Sequence, residues 1–117
     1  MELQTASASL AALGHETRLS IFRLLVQAGT DGVNAGLICD KLGLAPATLS
    51  FHLAHLSRIG LIRGRQEGRF IFYVADYAAM DALLSFLTDN CCQGAQCLTR
   101  AGAVAAPVKR RRTAAAR

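Results

Sequence analysis

The chain predicts a mainly α fold with a small β-hairpin, a winged helix-turn-helix flanked by N- and C-terminal helices suited to dimerisation. Three observations carry that prediction. Leu49, Leu53, Leu56 and Ile59 recur at helical spacing between Pro46 and Gly60, just after a shorter apolar helix that ends at Gly43. Two helices joined by a link of about three residues that includes Gly make the helix-turn-helix arrangement. Behind it, Leu61 to Arg65 and Arg69 to Ala75 flank Gln66-Glu67-Gly68, a hairpin signal whose second arm is rich in aromatic and β-branched residues.

Each element has its own local reason. Residues 5–13 (TASASLAAL) are Ala-rich and weakly helical, and Gly14-His15 interrupts them. From Glu16 the apolar positions Leu19, Phe22, Leu25 and Val26 recur at helical spacing, with Arg18 and Arg23 facing elsewhere. That helix stops at Ala28-Gly29, and Gly29-Thr30-Asp31-Gly32 is a loop by composition. Asn34 is a good N-cap for a short helix carrying Leu37, Ile38 and Leu42. Pro46 suits the first turn of the next helix, although Ala45 before it is a poor cap, worth ~1 kcal/mol less than Ser or Asp. Asp76 caps a last helix whose Tyr77, Met80, Leu83, Leu84 and Leu87 form a wide apolar face. The apolar faces of the first and last helices exceed what one small core can cover, so a homodimer built from them is expected.

Size and charge narrow the possibilities. At 117 residues and 52% apolar composition the chain is one globular domain, with no run approaching the ~20 residues of a membrane span. Met1-Glu2-Leu3-Gln4 lacks the basic and apolar stretches of a signal peptide, so a cytoplasmic location without membrane partners is expected. The net charge of +5 is unevenly placed. Up to Asn90 there are seven basic and eight acidic residues, whereas six basic residues and no acidic ones follow. Inside the body, Arg58, Arg63, Arg65 and Arg69 face only Glu67, a local patch that points to nucleic acid. The expected organisation is a DNA-binding and dimerisation body over residues 1–90, a cysteine segment over 91–97, and a basic, disordered tail over 98–117.

Three cysteines fall within NCCQGAQC, Asn90 to Cys97. In a reducing compartment such clusters signal metal or redox chemistry rather than structural disulfides. Cys91 and Cys92 offer two sulfurs at a fraying helix end, and Gln93-Gly94-Ala95-Gln96 can fold back to present Cys97. Gly94 supplies backbone freedom for that reversal. Three thiolates in one short segment suit a soft, three-coordinate ion. Zinc is a poorer match, since it wants four ligands and the nearest histidine, His55, is far off in sequence. Cys39, beside Ile38 on a helix, reads as a small core residue.

The runs ALGHETRLSIFRLLV (from Ala12), GLAPATLSFHLAHLSRIGLI (Gly43 to Ile62) and GRQEGRFIFY (Gly64 to Tyr73) resemble the ArsR/SmtB family of bacterial winged-helix metalloregulators. Its most specific part is Ser50-x-His52-Leu53-x-x-Leu56, and the resemblance covers roughly residues 10–90. It implies a homodimeric repressor that leaves an inverted-repeat operator when a metal or metalloid binds. The family's best-known arsenic ligands, a Cys-x-Cys before the recognition helix, are replaced here by Asn34 and Gly36. Cys91, Cys92 and Cys97 are therefore the candidate metal ligands and look like the C-terminal arsenite site of one family branch. Trivalent arsenic, with antimony as an alternative, is the expected effector, and no organic cofactor is expected. Its stereochemically active lone pair favours three thiolates in a pyramid.

The candidate DNA-binding residues are Ala47, Thr48, Ser50, Phe51, His52 and His55 on the recognition helix, and Arg65 and Arg69 beside the wing tip. The first turns of such a helix reach base edges, which favours Thr48, Ser50 and Phe51 as direct readers. His52 either hydrogen-bonds a phosphate or ties the helix to its neighbour. Arg63 is a weaker candidate, and the KRRR of the tail either adds salt-sensitive affinity or is simply solvated. Two alternatives remain in the thiol chemistry: a redox or persulfide sensor pairing Cys97 with Cys91 or Cys92, and a sensor of another thiophilic ion. An enzyme is not expected, because the thiols follow a helix C-terminus, where the dipole opposes a thiolate. The chain also lacks a nucleophile triad or Gly-rich phosphate loop.

Overall fold

The computed structural model describes residues 1–94; Cys97 and the 98–117 tail lie outside the described residues. Met1–Leu87 is one compact unit, and Thr88 opens a second. In chain order the first unit holds α1 (Leu3–Leu13), α2 (Glu16–Ala28), β1 (Val33–Asn34), α3 (Ala35–Leu42) and α4 (Pro46–Ile59). The hairpin strands β2 (Ile62–Glu67) and β3 (Phe70–Ala75) follow, and then α5 (Tyr77–Leu87). The architecture is the expected winged helix-turn-helix with a helix added at each end.

The helix boundaries follow from capping chemistry. His15, which reads from the sequence as an interruption, is the N-cap of α2: its Nδ1 accepts the Thr17 N–H at 3.2 Å. Asn34 Oδ1 accepts the Leu37 N–H at 2.9 Å and starts α3 as expected. Gly43, at φ 65°, ends α3 in the left-handed conformation that glycine adopts without steric cost, and Leu44 N–H closes back on the Cys39 carbonyl at 3.1 Å. Ala45 provides no side-chain cap for α4, so that helix is held by Pro46 in its first turn and by packing. Asp76 Oδ1 accepts the Ala79 N–H at 2.9 Å and starts α5.

The core gathers Ile21, Phe22 and Leu25 of α2, Ile38 of α3, and Leu49, Leu53 and Leu56 of α4, closed below by Leu61 and Ile62. One sequence expectation fails here. Leu19 is 43% exposed, while Ile21 is fully buried. At about 100° per residue the two lie on nearly opposite sides of α2. The stripe that faces α4 and the sheet runs Ile21, Phe22, Leu25, so the phase of the helix is set by its neighbours rather than by its own periodicity. Cys39 packs partly buried against this core, as expected of a small apolar residue.

The sheet adds a strand the sequence did not announce. Its order is β1-β3-β2, antiparallel throughout, with Val33 opposite Tyr73 and Asn34 opposite Phe72. A two-residue strand leaves no periodicity to detect. The wing pairs Ile62 with Ala75 through to Glu67 with Phe70, so the turn is Gly68-Arg69 rather than Gln66-Glu67-Gly68. Gln66 and Glu67 look like turn residues only because an exposed wing needs no apolar side chains there. Tyr77, expected on the apolar face of α5, donates its hydroxyl to the Val26 carbonyl at 2.8 Å and ties α5 to α2. Apolar side chains remain exposed on the outer helices, with Leu3 at 73%, Leu10 at 44%, Leu84 at 47% and Leu87 at 54%. No helix among the described residues is long and apolar enough to cross a membrane.

Candidate nucleic-acid interface and thiol turn

The outward face of α4 is set by its inward one. With Leu49, Leu53 and Leu56 in the core, Ala47, Thr48, Ser50 and Phe51 face solvent, and Phe51 is 67% exposed. His55 is half-buried on the flank. Exposed Ala54 and Ser57 continue the face and were missed as candidates, and Arg58 of the basic patch extends it. The helical spacing that placed Phe51 outside also places Ala54 and Arg58 there, so the signal was present.

His52 departs from its groove-facing assignment. It is only 7% exposed; Arg18 Nη1 donates to its Nδ1 at 3.4 Å, and its ring lies 4.8 Å from the His15 ring. Arg18 is itself anchored by donating Nε to the Ala12 carbonyl at 2.7 Å. Of the two roles open to His52, the structure provides the tie between α4 and α2. Burial lowers its pKa, and electrostatic interaction with His15, Arg18 and His55 lowers it further, which favours the neutral ring. The pKa of His55 is lowered as well, by desolvation and then by Arg18, Arg58 and His15.

Two wing arginines have different surroundings. Arg65 Nε donates to Glu67 Oε2 at 2.6 Å, Nη1 to the Thr30 carbonyl at 3.1 Å, and Nη2 to the Asp31 carbonyl at 2.9 Å. Its guanidinium also sits 5.8 Å from the Phe72 ring centroid. Arg65 thus straps the wing to the turn before β1, a role sequence spacing does not reveal because the partners are backbone carbonyls over thirty residues away. Arg69 sits exposed at the wing tip. Arg63, itself largely exposed, faces the partly covered Asp76 at 3.6 Å, an ion pair of small energetic weight.

The second unit begins with a tight turn. Cys91 N–H donates to the Thr88 carbonyl at 3.1 Å, and Gln93 N–H to the Asn90 carbonyl at 3.0 Å. Asn90, Cys92 and Gln93 have φ of 57°, 54° and 59°, a left-handed path that costs non-glycine residues about 1–2 kcal/mol each. Sequence reasoning had given this backbone freedom to Gly94. Consecutive residues of a right-handed helix do not face each other. Here the left-handed turn brings the Cys91 and Cys92 sulfurs to 3.5 Å. Cys91 is a free thiol, whereas Cys92 is disulfide-bonded. Cys97, the third expected ligand, lies outside the described residues. With Cys92 reduced, the two sulfurs would be soft donors at a spacing one ion can bridge.

Comparison with known proteins agrees with the winged helix-turn-helix fold. Residues 13–65 match a family model described as a helix-turn-helix domain. The transcriptional activator HlyU of Vibrio cholerae is 33% identical over 98 residues, spanning 82% of this chain and 88% of HlyU. An ArsR-like transcriptional regulator from Rhodococcus superposes with a TM-score of 0.65 at 27% identity, over 72% of this chain and 76% of that one. The chain belongs to the ArsR family of winged helix-turn-helix transcriptional regulators. Within that family, reduced HlyU from Vibrio cholerae superposes with a TM-score of 0.60 at 32% identity, covering 77% of this chain and 92% of that structure. The homodimeric winged helix-turn-helix DNA-binding domain of a possible ArsR-family regulator from Mycobacterium bovis matches 83% of this chain and 90% of its own, with a TM-score of 0.60 and 27% identity. This ArsR-family chain is accordingly a DNA-binding transcriptional regulator and not an enzyme.

Proposed function

We propose that the chain is a homodimeric repressor that holds an inverted-repeat operator and releases it when trivalent arsenic, or antimony, is captured by the thiolates of Cys91, Cys92 and Cys97. The observation that carries this reading is the 3.5 Å separation of the Cys91 and Cys92 sulfurs. With metal–thiolate bonds of about 2.3 Å, that spacing subtends an angle of about 100° at a shared centre. The angle is narrower than tetrahedral and suits an ion whose lone pair compresses three thiolates into a pyramid. Capture requires Cys92 as a thiolate, so the reduced protein is the responsive form. The exposed leucines of α1 and α5, together with the homodimeric Mycobacterium bovis relative, support pairing of two chains through their outer helices. Two recognition helices about 34 Å apart would then meet successive major grooves of a symmetric site. A coupling typical of allosteric regulators corresponds to a loss of DNA affinity of about 5- to 150-fold.

Fluorescence anisotropy on promoter DNA tests this directly. Cys91→Ser, Cys92→Ser and Cys97→Ser should each bind DNA like the native chain and fail to release it at arsenite concentrations that release the native chain. Normal release by all three variants would remove the assignment.

A thiol-redox sensor is the second reading, favoured by the disulfide at Cys92 beside a free Cys91. One solved structure of the HlyU relative is of its reduced form. In that case peroxide or a persulfide donor releases the DNA and arsenite does nothing. Adding arsenite, antimonite, zinc and peroxide in turn separates the two chemistries.

A further inference from the structure

We infer that α4 selects its half-site mainly through the C5-methyl groups of thymine, with Phe51 as the principal reader. The inference rests on the DNA-binding part of the proposed function and specifies which base edges this surface recognises.

The first observation is what the helix lacks. Between Pro46 and Ser57 there is no Arg, Lys, Asn, Gln, Asp or Glu. Those are the side chains that read guanine, adenine and cytosine through paired or single hydrogen bonds in the major groove. The exposed face offers Ala47, Thr48, Ser50, Phe51, Ala54 and Ser57. The two serines and Thr48 bond any base edge, so they discriminate little. Ala47, Ala54, the Thr48 methyl and the Phe51 ring are apolar, and the one apolar group a base pair shows in the major groove is the thymine methyl. Arg58, the nearest exposed cation on the helix, is seven residues and about 10 Å further along the axis, where it suits the phosphate backbone.

The second observation is how Phe51 is held. It is 67% exposed, whereas Leu49, Leu53 and Leu56 of the same helix are each no more than 4% exposed. Its ring meets the His52 ring edge-on, at 5.3 Å between centroids and 71° between planes. His52 is buried, bonded to Arg18 and packed on His15, so the surface against which Phe51 rests is itself tethered to α2. A supported aromatic ring that projects into solvent is preorganised for contact with an apolar partner. The exposed cations of the head, Lys41 at the end of α3, Arg58 on α4 and Arg69 at the wing tip, match a polyanion and not an apolar protein surface.

The test uses the reduced full chain without effector. Binding sites are selected from a randomised duplex library, and each thymine of the enriched half-site is then replaced singly by deoxyuridine. That change removes only the methyl group and keeps every hydrogen bond. At least one position should lose about four-fold in affinity, the value of one buried methyl. Phe51→Ala should make the same position insensitive to the replacement, while Phe51→Leu, still apolar, should retain sensitivity. An enriched site whose affinity is indifferent to every deoxyuridine, or a Phe51→Ala chain as sensitive as the native one, would overturn the inference while leaving DNA binding intact. Enrichment of no sequence at all would remove the DNA-binding reading beneath it.

Discussion

The recognition head and the thiol turn are built on opposite principles. In the head, α3 and α4 are placed by many agreeing determinants: an Asn34 cap, a left-handed Gly43, Pro46 in a first turn, and three leucines inserted in one core. In the turn from Thr88 to Gly94, three non-glycine residues sit at positive φ, with backbone hydrogen bonds from Cys91 to Thr88 and from Gln93 to Asn90. Redundant packing makes a surface that keeps its shape against DNA. Local backbone strain is a different kind of construction, and under the proposed function it is the part that a ligand or an oxidant would capture or abolish. The proposed switch would use both kinds of construction, and this chain keeps them in separate segments.

The contrast can be broken experimentally. Leu56→Ala removes a fully buried side chain of the head and should cost about 2–5 kcal/mol in urea denaturation. A loss below about 1 kcal/mol would show that the core is less closely packed than its burial indicates. The caps come next. Asn34→Ala should destabilise by about 1 kcal/mol, whereas Ala45→Ser, which supplies the cap that α4 lacks, should stabilise by a similar amount. Equal and opposite shifts in the denaturation midpoint would sharpen the view that α4 is held by packing in spite of its start.

The histidine tie predicts a pH dependence of known sign. The folded pKa of His52 lies below its ordinary value of 6.5, chiefly through burial and then through His15, Arg18 and His55. The unfolded chain therefore binds the proton more readily, and stability rises with pH in this range. The contribution of His52 is complete above 6.5 and is lost as pH falls through its lowered folded value. Between about pH 7.5 and 5.5 the native chain should lose more stability than His52→Gln, measured by urea denaturation at both pH values. An equal loss in both would place the acid sensitivity elsewhere. The smallest effect is expected in the turn: Cys91→Ser should change global stability by no more than about 0.5 kcal/mol, because its side chain is outside the core. A larger loss would contradict the division between a packed head and a lightly held turn.

Much of the head was readable beforehand because its signals are local. Helical periodicity, Asn34, Gly43, Pro46, Gly60 and Asp76 each act within a few residues, and with the composition of the wing they specify five helices and a hairpin. The candidate site was legible in part. Phe51 and its neighbours fall outside by spacing alone. The inward position of His52 requires Arg18 and His15 from α2, thirty-four or more residues earlier in the chain. Arg65 looked like a free cation until its carbonyl partners at Thr30 and Asp31 were brought alongside.

The sequence by itself determined which segments are helical, where they stop, and that the thiols cluster after the last helix, since these depend on neighbours within one or two turns. Tertiary structure alone decided that Ile21 rather than Leu19 faces the core, that β1 joins the sheet, and that His52 is a tie. Rotational phase and long-range pairing are not encoded in any single segment; they emerge when several apolar surfaces compete to exclude water from one volume. The approach of the Cys91 and Cys92 sulfurs was not legible in the sequence either, because it depends on a left-handed backbone that no local preference of Cys or Gln would select.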